Sequence, residues 1–276
     1  VILSVVIITH NEEANIGRTL ASVQPLVADG KSEVIIVDSG STDRTVEIAK
    51  SCGARVFVEE WRGYAAQKNS AIDKATGDWI LSLDADEEVD HTLAERIGNL
   101  ILGKPRNSMK DGAPLLEMAV ASSTVCGFRI ARKNEFLGRW IKHGGFWPDP
   151  KLRLFRKGSG MFEDRAVHED VRLSKGEIRH LEGALLHHSY PTLADYLDHM
   201  NRYSSLGAEM LVARGRVRFS AFNIIVRPAA TFMYNYIFRL GFLDGREGLL
   251  LHLCHCVYVS WKYAKAWELD RGKGPR

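Results

Sequence analysis

Four short apolar runs, each leaving through a polar turn into a helix-period repeat, constrain the first hundred residues more than any other feature of the chain. The opening "VILSVVII" is of strand length and almost continuously apolar, as a strand buried on both faces must be. "NEEANIGRTLASV" follows with helical spacing at Ile16, Leu20 and Val23. "EVIIVD" predicts a second buried strand, and "STDRTVEIAKSCG" a helix that stops at Gly53. "ARVFVEE", "GYAAQKNSAIDKATG" and "DWILSLD" continue the pattern as strand, helix and strand. Such alternation predicts an α/β fold with a mostly parallel, Rossmann-like sheet flanked by helices. Ligands of these sheets bind beyond the carboxyl ends of the strands.

The residues at those ends are therefore the first candidates for a site. They are Thr9-His10-Asn11-Glu12, Asp38-Ser39-Gly40 and Asp84-Ala85-Asp86. Around the last of these, "WILSLDADEEVD" crowds five carboxylates into the seven residues from Asp84 to Asp90. Asp84 and Asp86 arrive straight from a buried strand, where alternating carboxylates can converge on a hard cation such as Mg²⁺ or Mn²⁺. The other reading is an acidic helix N-terminus, favoured by the helix dipole, and Glu87, Glu88 and Asp90 are expected to belong to it. Asp38 either accepts hydrogen bonds from a base or ribose or closes an Asx-turn near Ser41. The first loop lacks the glycines and lysine of a phosphate-cradling loop, and "THNEE" would repel phosphate unless a metal carried the charge.

Beyond Leu102 the periodicity lapses, and "GKPRNSMKDGAPLLEMAVASST" reads as a loop or poorly ordered insertion. The stretch from Cys126 to Gly158 reads as short strands and holds nine Lys or Arg against two acids, in a chain whose net charge is only +3. It is either a surface for an anionic partner or a solvated basic face. "MFEDRAVHEDVRL" suggests a further strand region, and from Thr192 a helix is expected with Leu193, Tyr196, Leu197, Met200, Tyr203 and Leu206 on one face. Residues 219–267 are apolar and aromatic but interrupted by Arg227, Pro228 and Arg239. They suit amphipathic helices that lie on a membrane surface or pack on the domain, and no apolar run reaches the ~20 residues of a membrane span. "HLCHC" fits no tetrahedral metal spacing and is expected to be core packing. The four cysteines form no disulfide pattern, which suits a reducing compartment, and the opening run has no basic leader, so no signal peptide is expected.

The ordered set "VVIITHNEEANI", "VDSGSTDRTVEIA" and "GYAAQKNSAIDKATGDWILSLDADE" resembles the donor-binding half of family 2 glycosyltransferases of the GT-A fold. "GFRIARKNEFLGRWIKHGG", "PDPKLRLFRK", "VHE", "LLHHSY" and "GFLDGREGL" resemble the branch that includes lipopolysaccharide-core heptose β-glucosyltransferases. The resemblance covers nearly the whole chain except residues 103–124. It implies a GT-A catalytic domain over residues 1–190, with a nucleotide-sugar half at 1–102, an acceptor half at 125–190, and helical residues 191–276. It also implies inverting transfer of a hexose from a nucleotide-diphospho-sugar, most simply a UDP-sugar, assisted by Mn²⁺ or Mg²⁺.

By that pattern Thr9, Asn11 and Glu12 line the nucleotide pocket and Asp38 faces the base. Lys68 and Asn69 lie near the diphosphate, Asp84 contacts the ribose beside Ala85, and Asp86 binds the metal. The carboxylate base that accepts the acceptor's proton maps onto Glu169, with Asp170 as the alternative. His187 resembles a histidine that serves as a metal or diphosphate ligand, with His188 adjacent. Trp140, Trp147, Arg153 and Arg156 are candidates to grip a phosphorylated saccharide or glycolipid. A cytoplasmic enzyme, peripheral on the inner face of the cytoplasmic membrane and with no nucleic-acid partner, is the expectation. A sugar nucleotidyltransferase and a catalytically inactive, membrane-associated homologue are the rival readings.

Overall fold

A computed structural model describes residues 2–28, 30–102, 124–163 and 170–272, with Asp170 described by its backbone alone. The described residues form two compact units, one from 2–132, 150–163 and 170–187, the other from 133–149 and 188–272.

The first unit is built on the apolar runs. β1 (Leu3–Thr9), β2 (Ser32–Asp38), β3 (Arg55–Val58) and β4 (Trp79–Asp84) lie in the order β3-β2-β1-β4, all parallel. Between them run α1 (Ile16–Val27), α2 (Thr45–Ser51) and α3 (Tyr64–Lys74). Period-2 alternation explains the continuous apolar runs. Leu3, Val5 and Ile7 join a core with Ile16, Leu20 and Val23 of α1, whereas Val6 packs on the opposite face with Ala71 and Ile72 of α3. Burying side chains of this size contributes ~1.5–3 kcal/mol each.

Past β4 the sheet continues with antiparallel strands. β5 (Glu87–Val89) turns back at once and α4 (His91–Ile101) follows. β6 (Val125–Phe136) and β8 (Lys151–Arg156) pair with each other, and β8 with β4; β11 (Glu177–Tyr190) pairs with β5. β9 (Gly160–Glu163) and β10 (Asp170–Leu173) form a separate antiparallel ribbon. Gly183 has φ +103°, and a Cβ there would lie 2.5 Å from the Leu93 amide nitrogen, so glycine lets β11 run against the start of α4.

The acids after β4 do not all start a helix. Glu87 and Glu88 lie in β5, and only Asp90 caps α4, accepting from the Leu93 amide at 2.9 Å. The proposed loop at 103–124 lies almost wholly outside the described residues.

In the second unit β6 and β11 run on, β6 pairs with β7 (Arg139–Trp140), and helices α5 (Leu193–Ala213), α6 (Arg227–Phe232) and α7 (Gly245–Arg271) follow. π-helical turns at Phe222–Val226 and Met233–Phe238 flank α6, and a 3₁₀ turn spans Gly241–Asp244. α5 opens with a capping box between Thr192 and Asp195. Its buried positions are Tyr196, Met200, Ser204 and Ala208, while Leu193 and Leu197 are exposed, so the buried face is rotated from the one the leucines suggest. The cause is close packing on α7, where Lys265 reaches Asn201, Ser204 and Ser205. Among the described residues no helix is long and apolar enough to cross a membrane.

Candidate active site

Parallel register brings three of the expected residues to one edge. Thr9 pairs with Asp38, and Ile8 with Asp84. Thr9 and Asp38 are buried, and Thr9 Oγ1 donates to Asp38 Oδ2 at 2.8 Å. Asp38 also accepts from the Gly40 and Ser41 amides at 3.0 and 2.8 Å and from Ser41 Oγ at 2.5 Å. Those four bonds fill a carboxylate's usual acceptor capacity. Asp38 thus closes the Asx-turn and fixes the loop around it.

Asn11 stands in the left-handed region at φ 55°, which asparagine tolerates better than most residues. Its amide donates to Ser41 Oγ and its Oδ1 accepts from the Thr42 amide, both at 2.8 Å, locking the first two loops together. Beside it the Glu12 amide donates to Thr45 Oγ1 at 2.7 Å. Burial pushes the Glu12 carboxyl up, and Asp86, Asp43 and Asp84 add to the rise against the hydrogen bond from Asn15. Negative charge here is incompletely compensated, which is the environment a divalent cation relieves.

Asp84 is the opposite case. Lys68 Nζ donates to its Oδ1 at 2.7 Å, and Arg153 Nη2 donates to its Oδ2. Burial alone would raise its carboxyl, but Arg153, Lys68 and Arg132 hold it well below the usual range. The same Arg153 nitrogen donates to Glu87 Oε1 at 2.8 Å, Arg132 reaches that oxygen at 3.4 Å, and Glu87 Oε2 accepts the Asp84 amide at 3.0 Å. Glu87 and Arg153 are buried, so this is an internal network.

Asp86, two residues on, is partnered differently. The pairing of β5 with β11 sets His187 opposite Glu87, and His187 Nε2 lies 3.3 Å from Asp86 Oδ2. Burial works against the Asp86 charge, but His187 outweighs it and lowers the carboxyl. Both side chains keep some exposure, 25% for Asp86 and 17% for His187, so a ligand can reach them. Between Asp84 and Asp86, Ala85 is buried, its carbonyl accepting from Thr19 Oγ1 at 2.6 Å. Among the described residues no group of three or more His, Cys, Asp or Glu is gathered as a metal cage. One carboxylate and one imidazole, with Glu12 contributing negative charge nearby, still suit Mn²⁺ or Mg²⁺, which take few protein ligands when phosphate oxygens complete the shell.

The remaining candidates fall elsewhere. Asn69 is tied up with β9, bonding the Phe162 carbonyl and amide at 2.9 Å each, and Lys68 Nζ lies 5.0 Å over the Phe162 ring. Arg153, expected on an acceptor surface, is instead the buried counter-ion of Asp84 and Glu87. Arg156 pairs in register with Trp79 and stacks on its ring at 4.7 Å, five residues (~17 Å along a strand) from Asp84. Glu169 lies outside the described residues, as does the side chain of Asp170.

In the second unit Trp140 and Trp147 pack edge to face at 5.1 Å, with Lys133 and Lys142 over the Trp140 ring at 5.3 and 4.4 Å. His188 Nδ1 lies 2.7 Å from Glu135 Oε2, a different partner from that of the neighbouring His187. His252 of "HLCHC" is buried against Phe146 and Tyr236.

The sequence placed Glu87 at a helix start and Arg153 on an acceptor surface, and did not reveal that they pair with each other and with Arg132. A signal was present in "KLRLFR", where period 2 puts Arg153 on the same strand face as the apolar Phe155, and an arginine on a buried face needs a partner there.

Comparison with known proteins places this geometry in context. The sequence model "Glycosyl transferase family 2" matches residues 4–107. The lipopolysaccharide core biosynthesis glycosyltransferase LpsC of Rhizobium meliloti is 31% identical over 275 residues, covering 96% of this chain and 92% of that protein. An uncharacterized glycosyltransferase of Rickettsia typhi is also 31% identical, covering 97% and 87%. A solved mannosyltransferase from Pyrobaculum calidifontis, in complex with GDP-Man and Mn²⁺, aligns with TM-score 0.52 and 16% identity over 99% of this chain and 88% of that one, a likeness of fold.

Proposed function

We propose, from the premise that this chain belongs to glycosyl transferase family 2 and has the GT-A fold, that it transfers a hexose with inversion from a nucleotide-diphospho-sugar to a lipopolysaccharide-core-type saccharide. The carrying observation is the division of labour between two acids of one turn. Asp84 is neutralised by Lys68 and Arg153, while Asp86 faces His187 and both of these side chains stay partly exposed.

Asp86 and His187 would hold Mn²⁺ or Mg²⁺, which supplies positive charge to the diphosphate leaving group. The loops bearing Thr9, Asn11, Glu12 and Asp38 form the nucleoside pocket, with Asp38 acting through the turn it closes. Lys68 keeps Asp84 charged and oriented toward the ribose, and Asn69 fixes β9 beside it. Glu169, or Asp170 in its place, takes the proton from the acceptor hydroxyl as the new glycosidic bond forms. Trp140 and Trp147, with their two lysines, suit stacking on an anionic saccharide. A lipid-borne acceptor would put the enzyme at the inner surface of the cytoplasmic membrane, with a UDP-sugar as the simplest donor. LpsC carries the lipopolysaccharide-core name in full-length alignment, which supports this acceptor class.

The test is a thermal-shift panel of UDP- and GDP-sugars with and without Mn²⁺, in wild type and Asp86→Ala. A metal-dependent rise in Tm with one donor, absent from the variant, is expected. At a ligand concentration about 100 times Kd, such binding adds ~2.7 kcal/mol to stability. Equal shifts in both proteins would overturn the metal assignment, and no shift with any donor would overturn the transferase reading.

A further inference from the structure

Residues 221–238 turn a regular apolar face to solvent. Exposed positions come in adjacent pairs at 221–222, 225–226, 229–230, 233–234 and 237–238, and all ten residues are apolar or tyrosine. Ile225 is 66% and Phe238 75% exposed, values unusual for such side chains in water. Half-buried between these pairs are Asn223 with Ile224, Thr231 with Phe232, and Asn235 with Tyr236, and Pro228 is buried. Arg227 is the single charged residue on the outer side, its guanidinium 5.3 Å over the Tyr263 ring.

The winding produces this face. A four-residue repeat drifts around an α-helix of 3.6 residues per turn. The π turns at Phe222–Val226 and Met233–Phe238 put more residues into each turn, so the repeat stays on one side for its whole length. The resulting stripe is continuous rather than a scatter of single exposed residues.

Charge identifies what covers it. From Arg214 to Arg239 there are five arginines, all exposed, and no acid; beyond them Asp244 is buried beside His143 and Arg246 pairs with Glu247. Exposed arginines therefore flank the stripe at both ends, with Arg227 within it, and no carboxylate lies among them. Pairing this face with a second copy about a twofold axis would set arginines against arginines. A water–lipid boundary with anionic headgroups accepts both features: apolar side chains enter the acyl region while arginines reach the phosphates.

We propose that the outward stripe of residues 221–238 is an interfacial membrane anchor, lying in the plane of an anionic bilayer surface with its arginines in the headgroup layer. The inference deepens the membrane location proposed above and rests on it; the π-wound stripe and the arginines around it name the surface that makes the contact.

The test is co-sedimentation of the full chain with phosphatidylcholine vesicles, with and without phosphatidylglycerol. Wild type should bind the anionic vesicles, and Ile225→Asp/Phe238→Asp should lower the partition coefficient at least about tenfold. Arg216→Gln/Arg218→Gln/Arg239→Gln should lower it by a similar factor on anionic vesicles at low salt and have little effect on neutral ones. Unchanged vesicle binding by the Asp pair overturns the proposal. So does a wild-type dimer in vesicle-free buffer that the Asp pair converts to monomer, because the stripe would then be a contact between copies. Donor-dependent thermal shift is read separately on the same proteins. Its absence would count against the transferase reading, while vesicle binding alone decides the anchor.

Discussion

His187 Nε2 faces Asp86 Oδ2 at 3.3 Å, although the two residues are a hundred positions apart in the chain. The short return strand β5 makes the meeting possible, because its pairing with β11 carries the histidine to the Asp-x-Asp turn. His187→Ala should raise the Mn²⁺ concentration for half-maximal donor-dependent Tm shift by at least about tenfold. His188→Ala should leave that titration unchanged, since its partner is Glu135. Equal effects of the two substitutions would remove His187 from the site.

Arg153 is the shared counter-ion of two buried acids. Arg153→Met leaves Asp84 with Lys68 and the more distant Arg132, and Glu87 with the Asp84 amide and a weak contact to Arg132. The loss should be about 3–5 kcal/mol, read from urea midpoints at constant m. Lys68→Met should cost less, because Arg153 remains on Asp84.

Acid sensitivity is expected from the second unit. Burial, with His255 adding and Asp244 opposing, lowers the His252 imidazole to about 4. The unfolded chain binds its proton near pH 6.5, so stability is full above that pH and falls until the folded state also protonates near 4. His252→Leu should make the Tm profile shallower across this window without flattening it, because burial and Lys262 also depress His255. An unchanged slope would exclude His252 as a contributor.

The base can be assigned kinetically. Glu169→Gln should reduce kcat by about 10²–10⁴ while the donor-dependent thermal shift survives. Asp170→Asn should retain most turnover if Glu169 is the base, and the reverse ranking assigns the role to Asp170.

Much of the first unit was legible because strands buried on both faces leave continuous apolar runs, and the helices between them keep a clear 3.6 period. The strand-end candidates followed directly from parallel register, which the structure shows in Thr9–Asp38 and Ile8–Asp84. The return strand was not legible. Three residues are too few to show a period, and "EEV" has the composition of a helix start. The lysine and arginine excess suggested either a surface for an anionic partner or a solvated basic face, yet Arg132 and Arg153 are spent inside on Glu87 and Asp84. Composition counts charges but does not say which are already paired. For Asp38 both readings were open, and it took the bonds from Gly40 and Ser41 to show the turn.

The π turns carry a consequence for length rather than for chemistry. Leucine for isoleucine, or phenylalanine for methionine, keeps the outer stripe of residues 221–238 intact. Deleting one residue between its two π turns rotates everything beyond by about 100°, and Asn235 would move toward the outer side in place of its apolar neighbours. The segment is therefore permissive in composition and strict in phase: its register, more than any one side chain, is what it cannot lose.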